Sequence, residues 1–127
     1  EFVGPTLSEH DRAYRATLGR TRDAVAWVDV PTLLEEYDAL VSATVAGSAD
    51  KVVYEAAASC LPVLASSPAL ASLVPPELRF VDEDDLVGRL TWLASADRAA
   101  LGRELREHVV RGHSVDVWAE RTLEALA

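Results

Sequence analysis

The residues with the clearest chemical potential lie together, in the stretch GSADKVVYEAAASCLPVLASS from Gly47 to Ser67. Small residues run into Asp50, a side chain suited to cap a helix. Lys51 to Ser59 then reads as one short Ala-rich helix with Tyr54 and Glu55 in its middle. The start of such a helix favours an anion, because its first N–H groups lack intrahelical partners and the helix dipole is positive there. Glu55 is the odd feature, a lone acid among alanines, and a solvent-facing side chain is its plainest explanation. Other reactive groups are less suggestive. Cys60 has no base or second thiol beside it in sequence and reads as a buried small hydrophobe. His10, His108 and His113 fall at helix ends or polar faces and form no ligand set. The run Asp82-Glu83-Asp84-Asp85 lacks the spacing of a calcium loop, so it reads as acid at a helix start, where the dipole favours it.

Positioning Glu55 requires an α/β framework. Extended segments fall at about 2–5, 25–30, 40–44, 62–66 and 79–82, alternating with helical ones through residue 85. They lack strict polar alternation, which is the pattern of parallel strands covered on both sides. Ser8 can cap a helix that places Tyr14 and Leu18 inward, with Arg12, Arg15 and Arg20 outward. The run Val25–Val30 stops at Pro31, and Thr32 with Glu35 makes a capping box for a helix through Asp38. Trp27 reads as core. Pro68–Val74 is a short helix closed by Pro75 and Pro76. Three helices complete the chain: one through Leu86, Leu90 and Leu93, one after Ser95 to near Gly112, and one capped by Ser114. The expected architecture is a single doubly wound, Rossmann-like domain over 1–127, a mostly parallel five-stranded sheet with helices on both faces. Binding sites in such sheets lie past the carboxyl ends of the strands. Gly4-Pro5-Thr6, Asp29-Val30, Val45 to Lys51 and Ser66-Ser67 all fall there.

Composition narrows the partners. At 127 residues, half of them hydrophobic, the chain can bury one sizeable core. A net charge of −9, from 21 acidic and 12 basic residues, argues against nucleic acid or an anionic membrane surface. One cysteine rules out an internal disulfide and fits a reducing, cytoplasmic setting. No apolar run approaches the roughly 20 residues of a membrane span. Methionine is absent even from position 1, which suggests a sequence beginning inside a longer protein.

The segment EAAASCLPVLAS resembles the EAMASGLPVVAS-type signature in the C-terminal, donor-binding half of GT-B glycosyltransferases, family 4 above all. The likeness extends over nearly all the chain, to a tail similar to that family's closing helices. It implies a nucleotide-sugar donor as substrate, transfer with retention, no required metal and no further cofactor. Glu55 takes the place of the glutamate that hydrogen-bonds the donor ribose. Gly47, Ser48, Ala49, Asp50 and Lys51 take the place of the segment facing the donor's sugar and diphosphate. Gly4 and Thr6 fall in the turn beside the diphosphate. Val28 and Val30, with Asp29 and Leu33, fall where the nucleobase lies. The resemblance also implies a missing N-terminal acceptor domain and a missing first βα unit, so the isolated chain is not expected to catalyse.

This sequence departs from the pattern at three points. The family's second glutamate, eight residues before the ribose one, would fall on Gly47. Asp50 is then either a displaced carboxylate or only a cap, and Lys51 either faces a phosphate or is solvated. The glycine of the nucleobase turn is replaced by Val28 or Asp29. Cys60 replaces the glycine after the helix, where a left-handed backbone is common. A non-catalytic scaffold of flavodoxin-like or degenerate transferase type is the alternative. If the strands close the gap left by a missing first strand, Phe2–Pro5 pairs with Leu40–Thr44 in order 2-1-3-4-5. If they do not, an edge-paired or swapped dimer is expected.

Overall fold

The computed structural model describes residues 2–3, 8–44 and 50–127. The chain forms two compact units, 1–32 and 33–127. In the first, strand β1 (Phe2–Val3) pairs in parallel with β2 (Thr21–Arg22), in the register Phe2 to Thr21 and Val3 to Arg22. Helix α1 (Glu9–Arg15) connects them, starting directly after Ser8 as expected. Its last residue faces inward instead of outward: the Arg15 guanidinium donates to the Arg22 carbonyl at 2.8 Å. Tyr14, expected inside, is exposed.

The expected strand at 25–30 does not form. Trp27–Asp29 is a single 3₁₀ turn, and Val30–Leu34 follows as the short helix α2. Pro31 explains the difference. A proline that would stop a strand is equally at home in the first turn of a helix, where its missing N–H has no intrahelical acceptor. Thr32 therefore lies within the helix and caps nothing. Trp27 is 71% exposed and belongs to no core.

The second unit carries β3 (Leu40–Ser42), α3 (Lys51–Ala58) and β4 (Val63–Ala65). β3 and β4 pair in parallel, Leu40 with Val63 through Ser42 with Ala65, with α3 as the crossover. All three residues of β4 are buried, as an unalternating apolar strand requires. The expected fifth strand is reduced to a parallel bridge between Ala65 and Arg79, with the Phe80 N–H donating to Ala65 O at 3.2 Å. Capping halts it there. The Asp82 carboxylate accepts from the Asp85 N–H, opening α4 (Glu83–Leu93), and the Val81 N–H turns to the Asp85 carboxylate. Two two-stranded pairs among the described residues thus replace the five-stranded, doubly wound sheet, and Phe2 pairs with Thr21 instead of with Leu40–Thr44. The chain is mostly helical.

Helices α5 (Arg98–His113) and α6 (Val115–Leu126) complete the second unit, capped by the side chains of Asp97 and Ser114. Its core gathers Val53, Leu64, Leu70, Leu73, Val74, Leu78, Phe80, Leu93 and Leu105. Each of the leucines contributes about 1.5–3 kcal/mol on burial. α5 is the main support of α3, and one position makes that possible. A Cβ on Gly102 would lie 1.8 Å from the Cys60 carbonyl oxygen, so only glycine lets the two backbones approach this closely. One turn further along α5, Arg106 donates to the Ala58 carbonyl, one of the acceptors that the end of α3 leaves open.

Candidate functional site

The chemistry expected of the chain centres on α3, whose two ends are built differently. At the end, Ser59 is the C-cap and Cys60 takes φ 59°, the one left-handed non-glycine residue among those described. The Cys60 N–H donates to Ala57 O at 3.1 Å and the Leu61 N–H to Ala56 O at 2.9 Å. This pair of bonds is the Schellman closure, in which a left-handed residue turns the chain and satisfies two helix carbonyls. Leu61 is buried directly behind it, and Pro62 leads into β4. Cys60 itself is half-buried, not fully buried as expected.

At the start of α3, Asp50 has the extended backbone of an N-cap, yet its carboxylate makes no capping bond. It accepts instead from Ser42 Oγ at 3.1 Å and from Thr44 Oγ1 at 2.5 Å. Ser66 joins the same edge, its N–H donating to Ser42 O at 3.1 Å and its hydroxyl to Thr44 O at 3.4 Å. The carboxyl ends of β3 and β4 and the start of α3 therefore converge, as expected of a parallel pair. Asp50 is a tether between them. The sequence reading missed Ser42 and Thr44 as its partners. The signal was present, since residues two apart on an extended chain point the same way.

Glu55 is half-buried, its side chain 28% exposed, and its Oε1 lies 3.2 Å from Lys51 Nζ. It is therefore neither a freely solvated acid nor a core residue. Its neighbour Tyr54 meets the His113 ring edge-on, with centroids 5.1 Å apart. That contact fixes α3 against the junction of α5 and α6. Among buried side-chain polar atoms of the described residues, Arg79 Nε alone has no hydrogen-bond partner. Its backbone pairs with Ala65, the residue before Ser66.

The structure thus ties Asp50 to the end of β3, beside the end of β4, with Lys51 and Glu55 following it in the first turns of α3. Gly4, Thr6, Gly47, Ser48 and Ala49 lie outside the described residues. Val28 and Val30 belong to the first unit, Val28 exposed in the 3₁₀ turn and Val30 opening α2, neither at a strand end. A shallow groove of about 360 Å³ lies along α5 among Arg106, Glu107, Val110 and Arg111 and contains none of the expected residues. Among the described residues no three metal-ligating side chains gather, and no helix is long and apolar enough to cross a membrane. No family model matches the chain, and comparisons with curated proteins and with solved structures return no match.

Proposed function

We propose that the edge formed by Asp50, Lys51, Glu55 and the ends of β3 and β4 faces a nucleotide-sugar donor, in the donor-binding part of a glycosyltransferase. The observation that carries this reading is the left-handed Cys60 closing α3. It stands where the EAMASGLPVVAS-type signature has glycine, so the backbone that the signature calls for is kept although the residue is not. Glu55 accepts from the two ribose hydroxyls, and Lys51 swings from Glu55 toward the diphosphate. Energetics favour the exchange. An i,i+4 ion pair to an exposed lysine contributes about 0–1 kcal/mol, whereas hydrogen bonds to a charged carboxylate contribute about 1.5–3 kcal/mol.

Thermal shift with UDP-, GDP- and ADP-sugars tests the reading on the chain itself. Saturable stabilisation by one class is expected. Calorimetry should then show Glu55→Gln weakening that ligand by about 1.5–3 kcal/mol. Equal affinity of the two forms would remove the ribose role. A second reading, a non-catalytic binding scaffold, draws on a specific observation: both acids at this edge already have protein partners, Asp50 in two hydroxyls and Glu55 in Lys51. It is preferred if no nucleotide sugar stabilises the chain.

A further inference from the structure

Helix α6 has no buried residue, although its pattern is strongly amphipathic. Val115, Trp118 and Leu126, spaced i, i+3 and i+11, share one face with Thr122 between them. Trp118 is 67% exposed and Leu126 80%. An apolar stripe on an amphipathic helix ordinarily faces a core, so a solvent-facing one marks an interaction surface. Beside it run Asp116, Glu120 and Glu124 at i, i+4 and i+8. Among the described residues none of the three makes an ion pair, unlike Asp85 with Arg89 on α4 and Glu107 with Arg111 on α5. Asp116 suits its place in the first turn, where the dipole favours an acid. Glu124 sits in the last turn, where the dipole disfavours one and no basic residue compensates. Arg121, on the opposite flank, is turned back to the Gly112 carbonyl at 3.4 Å.

We propose that this face of α6 docks a basic amphipathic helix of a partner protein, its apolar side against Trp118 and its lysines or arginines along the Asp116–Glu120–Glu124 row. Charge selects this occupant over a second copy of the chain. In an antiparallel pair of α6 helices the same flanks meet, so the acidic row would face itself. In a parallel pair three acids would meet a flank offering only Arg121. The net charge of −9 adds long-range repulsion between copies and attraction for a basic partner.

The test uses two stapled helical peptides of about 15 residues, long enough to span α6. Both carry leucines at i, i+3, i+7 and i+11; one has Lys and Arg along the flank and the other Glu. Fluorescence anisotropy with the full chain should show the basic peptide binding at least tenfold tighter than the acidic one, with affinity falling as salt rises. Trp118→Ala should abolish binding. The triple variant Asp116→Lys, Glu120→Lys, Glu124→Lys should reverse the preference, and the milder pair Glu120→Gln, Glu124→Gln should reduce it; circular dichroism verifies that each is folded. Equal binding of both peptides, or no binding of either at low salt, overturns the proposal. So does a concentration-dependent dimer that Trp118→Ala dissociates, which would assign the face to a second copy.

Discussion

Cys60 offers a perturbation whose sign follows from geometry. In an ordinary helix or strand interior, glycine is less stable than alanine by about 0.5–1 kcal/mol, because glycine loses more backbone entropy on folding. At φ 59° the order should invert. A left-handed backbone costs a residue with a Cβ about 1–2 kcal/mol, and glycine nothing comparable. Subtracting glycine's entropy leaves Cys60→Gly more stable than Cys60→Ala by about 0–1.5 kcal/mol, centred near 0.75 kcal/mol. Against the natural protein the balance is closer. The half-buried thiol contributes some packing, on the order of half a buried methylene or about 0.4 kcal/mol, so Cys60→Gly should be neutral to slightly stabilising. Cys60→Ala should be mildly destabilising, since it loses the sulfur and keeps the strain. Urea denaturation of the three proteins, with equal slopes required, reads the differences directly. The glycine variant at or below the alanine variant would refute the left-handed closure, and with it the main support for the proposed donor edge.

Other outcomes follow from neighbouring contacts. Gly102→Ala should destabilise by at least about 1–3 kcal/mol despite alanine's better helix propensity, because the atom it meets is the Cys60 backbone carbonyl and not a flexible side chain; thermal unfolding measures it. Asp50→Ala should cost about 1–3 kcal/mol by leaving the buried Ser42 hydroxyl without its acceptor, and Asp50→Asn should recover much of this. Asp82→Ala should cost about 1 kcal/mol as the lost cap of α4, seen as a lower midpoint in the same denaturation series. Lys51→Ala should barely change stability, since the Lys51 side chain is 76% exposed, but should weaken any diphosphate-bearing ligand and leave nucleosides unaffected.

The local pieces around α3 follow from the residues that form them. Eight residues of helical composition after an acid, then a Pro-led apolar triplet, already prescribe the helix from Lys51 and the buried strand that follows it. The interactions concerned span few residues, so chain composition decides them. The caps at Asp82 and Ser114 were legible for the same reason. What depended on distant partners was not. Val25–Val30 has the composition of a strand, but a strand exists only where another offers its hydrogen bonds, and Pro31 could open a helix as readily as end a strand. Arg79–Asp82 had a partner in Ala65 and lost all but one pairing to the competing cap of α4. Asp50 shows the same competition at the site. Its sequence position suits a helix cap, yet the hydroxyls of Ser42 and Thr44, brought beside it by the pairing of β3 with β4, take the carboxylate instead. The competing hydrogen bonds are of similar strength, so the choice rests on which donors the fold brings near.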